Sequence, residues 1–367
     1  MKNSGLYVHV PFCRTKCIYC DFYSTTERGS LDAWLRALEQ EIGLRQHAFT
    51  HFDSLYIGGG TPTFLDRDRL ARLLKVLRDH FAFSLDTEIT IEANPDDVND
   101  GLLAFLKSLG VNRLSFGIQS FDDKELSFLE RRHDAAGAQA AIEAAIRTGF
   151  SNIGLDLIYG LPGQTRKGWL ATLERAVSFS PKHLSCYQLT VEGRTPLALL
   201  ARLGKVSLPG EEKERSLFLL TSRFLEAHGF IHYEVSNFAA SEDSLCRHNE
   251  KYWSHVPYLG LGPSAHSFDG EQRWWNHRSV KRYCAALERG EAPVAGTEKL
   301  TSDRLELERC YLGLRTRRGV ALADLPERSL PMVRQLCKAR LVRISGDRVI
   351  PSARGFLVAD SLPILLT

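Results

Sequence analysis

Six times before Phe230 the chain sets a short apolar strand ahead of a helix-length amphipathic stretch. Strands are expected at 6–10, 54–57, 88–93, 113–118, 153–158 and 184–191 from alternation and β-branched content. Helices are expected between and after them, at 31–45, 67–80, 100–109, 135–148, 167–179 and 211–228. Strand and helix repeated in series imply a parallel sheet with right-handed crossovers. Six units are fewer than the eight of a closed barrel, so the expected α/β fold is a curved, open, partial (β/α)6 barrel. Functional groups in such a sheet gather at the C-terminal ends of the strands.

The strand ends are polar where a purely structural sheet would not be. The second is followed by Gly58-Gly59-Gly60-Thr61-Pro62-Thr63, the third ends Ile91-Glu92-Ala93-Asn94-Pro95, and the fourth ends Phe116-Gly117-Ile118-Gln119-Ser120. The fifth carries Asp156 inside Leu155-Asp156-Leu157-Ile158. A carboxylate in an apolar strand is costly unless it is paired or binds something. Asp156 is therefore either a satisfied core carboxylate or part of a site. Its neighbours at successive strand ends favour a ligand cleft.

The first strand runs through Pro11-Phe12 into Cys13-Arg14-Thr15-Lys16-Cys17-Ile18-Tyr19-Cys20, a C-x3-C-x2-C run. Thiolates at this density bind metal. A structural zinc site wants four closed ligands, usually a second C-x2-C pair. The remaining cysteines, Cys186, Cys246, Cys284, Cys310 and Cys337, are single and scattered. Three thiolates suit an iron–sulfur cubane with one iron left open to an exogenous ligand.

Composition sets outer limits. With 367 residues, 44% hydrophobic and 25% charged, the chain reads as an ordinary globular protein with room for two or three domains. A net charge of +3 is too small to argue for nucleic acid. No apolar run reaches membrane-spanning length, and no signal or transit segment is expected before the first strand. Eight cysteines without a disulfide framework suit a reducing compartment, so a cytoplasmic protein is expected.

After Phe230 the pattern changes. Residues 237–300 are rich in aromatics and histidines and poor in periodicity, with Arg247-His248-Asn249-Glu250-Lys251-Tyr252-Trp253 at their centre. His248 can serve as an axial ligand for heme iron, and Tyr252 and Trp253 offer flat apolar faces to a porphyrin. The same residues also suit a plainer role, with His248 capping a turn and the rings filling a core. From 301 to 367 the chain reads as a small helical unit closed by two short strands around Gly346-Asp347, a winged-helix-like module. Three domains are expected, 1–236, 237–300 and 301–367.

Strand, C-x3-C-x2-C with Tyr19 before the third cysteine, and the glycine loop at 58–63 together resemble the radical SAM superfamily. Tyr7-Val8-His9-Val10-Pro11-Phe12-Cys13, Ile91–Pro95, Gly117–Phe121 and Asp156–Pro162 bring the resemblance closer, to oxygen-independent coproporphyrinogen III oxidase and its relatives. It implies a 4Fe-4S cluster on Cys13, Cys17 and Cys20. It implies S-adenosylmethionine held by Gly59, Gly60 and Thr61 at its methionine end, by Glu92, Gln119, Arg131 and Asp156 elsewhere, and by Tyr7 alongside. Arg132, next in sequence, is the alternative to Arg131.

Two departures separate the branches of that family. The oxidase has a further cysteine two residues after the third ligand, where this sequence has Phe22, and a long N-terminal extension, where five residues precede the first strand. Both departures, and His248-Asn249-x-x-Tyr252-Trp253, resemble the HemW-type heme chaperone branch. That resemblance implies heme at His248, Asn249, Tyr252 and Trp253. It implies delivery of heme to apo-enzymes of the respiratory chain, with peripheral contact at the membrane during delivery, and no coproporphyrinogen oxidase activity.

Overall fold

The structure, a computed structural model, describes residues 4–49 and 51–366. Met1, Lys2 and Asn3, the start of the expected leader-free N-terminus, lie outside the described residues. The βα series is β1 (Ser4–Val10), α1 (Leu31–Arg45), β2 (His51–Gly59), α2 (Arg67–His80), β3 (Ala82–Ala93), α3 (Asp100–Ser108) and β4 (Arg113–Gln119). It continues through α4 (Asp123–Phe128), α5 (Ala135–Arg147), β5 (Asn152–Tyr159), α6 (Arg166–Ser178), β6 (His183–Gln188), α7 (Pro196–Arg202) and α8 (Glu211–Ala227). The chain forms two compact units. The first holds residues 1–156, 190–206 and 256–299, and the second holds 157–189, 207–255 and 300–367.

In the first unit β1 to β4 pair in parallel, with Leu6 opposite Leu55, Leu55 opposite Ile89, and Ile91 opposite Leu114. Period-2 alternation gives each strand two different faces. One face is apolar and fully buried: Leu6, Val8, Val10, Ile57, Ile91, Leu114, Phe116 and Ile118 are all 0% exposed. Alternate positions put Tyr7, His9, Tyr56, Glu92, Ser115 and Asp156 on the opposite face. The helices cover the apolar side. In α2, Leu70, Leu73, Leu74 and Leu77 are buried at helical spacing, and Asp66 caps the first turn by accepting from the Arg69 N–H. Thr165, Thr195 and Asp134 cap α6, α7 and α5 in the same way, which is why those helices begin where they do.

The aperiodic stretch after Phe230 contributes to both units. In the first unit, β9 (Tyr258–Leu261), β10 (His266–Phe268), β11 (Gln272–Asn276) and β12 (Val294–Lys299) extend the sheet past β1, β9 in parallel and the rest antiparallel. This extension is anchored by a buried carboxylate that no local pattern announces. Glu41 on α1 accepts from the Gly262 N–H at 2.8 Å, Asn276 Nδ2 at 2.6 Å and the Tyr283 hydroxyl at 2.6 Å. Tyr283 lies on α10 (Val280–Glu288). Burial pushes the pKa of this carboxyl up, and the three donors offset part of the cost of burying it.

In the second unit, β7 (Ile231–Glu234) and β8 (Asn237–Ala239) pair antiparallel and β8 pairs with β6. Helix α9 (Arg247–Trp253) follows. The last part carries α11 (Ser302–Gly313), α12 (Leu330–Lys338), α13 (Ala353–Phe356), α14 (Leu362–Leu366) and a three-stranded sheet of β13 (Val320–Ala321), β15 (Arg348–Pro351) and β14 (Val342–Ser345). Leu314, Val333, Val349 and Leu362 form its core. Neither edge strand, β12 in the first unit nor β7 in the second, has a second strand partner among the described residues, so the strand order does not close on itself. No described helix is long and apolar enough to cross a membrane.

Candidate cofactor site

The three cysteines follow β1 on an irregular loop, all half-buried. The chain leaving β1 is stitched to the glycine loop leaving β2. Gly60 N–H donates to Val10 O at 2.8 Å and Thr61 N–H to Phe12 O at 2.7 Å. A Cβ on Gly60 would stand 2.7 Å from both of those carbonyls, so glycine is required there by the approach of two backbones as well as by any ligand. Gly59 has φ +108°, and a Cβ there would lie 2.4 Å from His9 Nδ1. The Thr61 hydroxyl reaches Cys13 Sγ at 3.4 Å.

His9 sets the side of this loop. Its Nε2 faces Tyr23 O at 2.8 Å and its Nδ1 faces the Tyr7 hydroxyl at 3.0 Å. Burial lowers its pKa to about 4, so the ring is neutral at pH 7. The carbonyl partner then requires hydrogen on Nε2, and Tyr7 donates to Nδ1. Tyr7 is thereby held in place, its ring 6.2 Å from that of Tyr56.

Two carboxylates occupy the next strands. Glu92 accepts from the Tyr56 hydroxyl at 2.9 Å and the Gly59 N–H at 3.0 Å. Burial first, and then the neighbouring charge of Asp156, push its pKa to about 7. Asp156 accepts from the Ser115 hydroxyl at 3.2 Å. It is hydrogen-bonded within a polar face, not stranded in an apolar core. Gln119 closes β4 with φ 68°, a left-handed conformation that is strained for a residue with a side chain.

Of the two adjacent arginines, Arg131 turns into the site. It donates to Cys17 Sγ at 3.4 Å, Asn94 Oδ1 at 2.8 Å and Gly117 O at 2.7 Å. Its Nε is shielded from solvent and without a partner among the described residues. Arg132 pairs instead with Asp97 at 2.9 Å. Burial raises the pKa of Cys13 and takes Cys20 to about 11, so the protein alone holds these as thiols, and a bound metal would have to displace the protons.

The donor set fits the groups a radical SAM protein carries. Three sulfurs share one loop. A carboxyl near neutrality without a bound cation and a shielded guanidinium Nε without a partner match the amine and carboxylate of an amino-acid zwitterion. Sequence reasoning gave Tyr56 and Ser115 no role, and it met His9 and Asn94 only as members of motifs. Alternation along the strands was the signal for the first three, since each shares a face with a predicted site residue.

The candidate heme residues lie in the second unit, on α9. His248 is 1% exposed, and its Nε2 is 2.8 Å from the Tyr252 hydroxyl. The rings meet edge to face, 5.1 Å apart. Trp253 packs edge to face on Tyr233 at 5.6 Å, and Tyr252, Trp253 and Asn249 are half-buried. In this conformation the imidazole is enclosed and hydrogen-bonded.

The profile of the Radical SAM superfamily matches residues 7–176. The chain is 38% identical to the heme chaperone HemW of Mycobacterium tuberculosis (strain ATCC 25618 / H37Rv), over 98% of this chain and 93% of that protein. It is 36% identical to the heme chaperone HemW of Bacillus subtilis (strain 168), over 99% and 98%. Among solved structures it resembles the coproporphyrinogen III oxidase HemN of Escherichia coli, described as a radical SAM enzyme, with a TM-score of 0.86 and 28% identity over 99% of this chain and 90% of that one. Fold and site define a radical SAM protein, the class that carries a 4Fe-4S cluster and S-adenosylmethionine. Within that superfamily the chain belongs to the family of the heme chaperone HemW.

Proposed function

We propose that the protein is a heme chaperone that binds heme and passes it to apo-enzymes of the respiratory chain. The observation that carries this reading is the identity with HemW proteins along nearly the whole of both chains. In this reading Cys13, Cys17 and Cys20 hold the cluster. Glu92 takes the amine of S-adenosylmethionine, Arg131 its carboxylate and Asp156 a ribose hydroxyl, while Gly59, Gly60, Thr61, Gln119 and Tyr7 shape the methionine end. The bound pair supplies one-electron chemistry, and the chain's own groups orient it and keep water out. Heme is taken at His248, Asn249, Tyr252 and Trp253, after His248 is released from Tyr252. The work is done in the cytoplasm, with peripheral contact at the membrane during delivery.

A second reading, coproporphyrinogen III oxidase, is favoured by the likeness to HemN. Against it, Phe22 occupies the position where the oxidase has its extra cysteine. Phe22 is 70% exposed and offers no thiolate. Anaerobic reconstitution followed by parallel assays separates the two. Heme titration should shift the Soret band, and coproporphyrinogen III should remain unconverted. Robust formation of protoporphyrinogen would put the oxidase first.

A further inference from the structure

The cysteine loop is gripped at three points, and the middle one touches no expected ligand. Thr61 reaches Cys13 and Arg131 reaches Cys17. Between these two cysteines Arg14 donates from Nε to Asp97 Oδ1 at 2.7 Å. Its guanidinium also lies 5.4 Å from the centre of the Phe64 ring. The Asp97 side chain is 1% exposed, and the same Oδ1 accepts from Arg132 Nη2 at 2.9 Å. Phe64 follows the glycine loop after β2, and Asp97 follows Asn94 after β3. One loop arginine is thus held by the ends of two strands that also supply Thr61 and the Asn94 partner of Arg131.

The loop needs such an anchor. Its own backbone bonds include Cys13 N–H to Thr25 O at 3.0 Å and a turn from Cys20 N–H to Cys17 O at 3.2 Å, neither of which restrains residues 14 to 16. The side chains of those residues are exposed. A buried carboxylate oxygen shared by two guanidiniums is a strong, directional anchor. It joins Arg14 to the residue next to Arg131, so both sides of Cys17 depend on it.

We propose that the Arg14–Asp97 pair is a positioning device for the cysteine loop, fixing the spacing of Cys13 and Cys17 and the approach of Arg131 to Cys17. The inference rests on the reading that Cys13, Cys17 and Cys20 carry the cluster. Groups that orient metal ligands from outside the ligand set change metal affinity by about 10- to 100-fold when removed.

The test uses the full chain in two states with Asp97→Asn, Arg14→Gln and the double variant. Before reconstitution, a lysine-specific protease is timed at Lys16. After anaerobic reconstitution, loss of cluster absorbance to a chelator is timed. Each single variant is expected to speed both processes by about tenfold or more, and the double variant no further than Asp97→Asn alone, because Arg14 acts through Asp97. Both changes should act in the same direction although they remove opposite charges, which an effect through net charge near the cluster would not produce. Arg14 is 43% exposed in its side chain, so Arg14→Gln reads the effect even if Asp97→Asn folds poorly. Parental rates in Arg14→Gln, opposite effects in the two variants, or additive effects in the double variant would overturn the proposal. Iron retained by a Cys13, Cys17 and Cys20 triple alanine variant would sink the ligand assignment instead, and the protease arm would still report on the loop.

Discussion

The cofactor face of the first unit and helix α9 of the second hold their functional candidates in opposite conditions. On the cofactor face, charged groups are positioned but incompletely satisfied. Glu92 has a pKa of about 7, and Arg131 keeps a shielded Nε without a partner among the described residues. On α9 the chemistry-bearing side chain is enclosed, with His248 buried against the Tyr252 hydroxyl. In the proposed reading, the first arrangement costs stability until a zwitterion arrives, and the second costs binding energy until the helix lets go. A preorganised face binds by filling. An enclosed histidine binds by release, and it pays the loss of its existing contacts first.

The largest expected effect is at the cysteines. Alanine at Cys13, Cys17 or Cys20 should abolish the brown chromophore and cluster iron after anaerobic reconstitution, measured by absorbance and iron analysis. A full complement of iron in the triple variant would break the comparison at its root, because the cluster would then not rest on the cysteines that Thr61 and Arg131 touch.

Next is Asp156→Ala, which removes an acceptor from the cofactor face. S-adenosylmethionine affinity should weaken by about 1–3 kcal/mol in calorimetry on reconstituted protein. Unchanged affinity would remove Asp156 from the ligand-binding set and leave its bond from Ser115 a structural one.

Glu92 sharpens the contrast through pH. Its folded pKa stands at about 7, raised by burial from the ordinary carboxylate value of about 4.3. Between those values the folded chain holds a proton that the unfolded chain has released, so this group's contribution to stability falls as pH rises through the window. In the cofactor-free protein, Glu92→Gln should be more stable than the parent above pH 7, with the advantage gone near pH 4. Parallel melting curves across that range would contradict a poised carboxyl. The ligand amine favours the ionised form, so binding to the parent should strengthen as pH rises through 7.

The smallest effect belongs to α9. Tyr252→Phe removes the hydroxyl from His248 Nε2, a bond worth about 1 kcal/mol, and should raise the rate of heme association by about fivefold in stopped-flow absorbance. His248→Ala and Trp253→Ala should alter the Soret spectrum or the affinity. If Tyr252→Phe bound heme no faster while His248→Ala changed the spectrum, His248 would be a ligand that needs no release.

Much of the first unit could be read from the chain. The helices at 31–45 and 67–80 stand where periodicity places them, and each expected strand overlaps an observed one, the last ending at Gln188 and not at Val191. The candidate site residues on β3, β4 and β5 stand out in the chain because a polar residue in an apolar alternating strand is conspicuous. His9 and Tyr56 do not, because an aromatic or a histidine in a strand reads equally well as core.

What the sequence determined by itself is therefore local: the order of the βα units, their caps, the three-thiolate spacing and the strand-end polarity. Each depends on residues within a few positions of one another, where periodicity and spacing act directly. Tertiary structure alone decided which of Arg131 and Arg132 faces the cysteines, how Asp97 serves Arg14, and that His248 is enclosed. It also decided that the aperiodic stretch beyond Tyr258 joins the sheet beside β1, held by Glu41 to a backbone amide 221 residues away. These outcomes turn on partners far apart in the chain, and only the folded packing brings such groups within hydrogen-bond range.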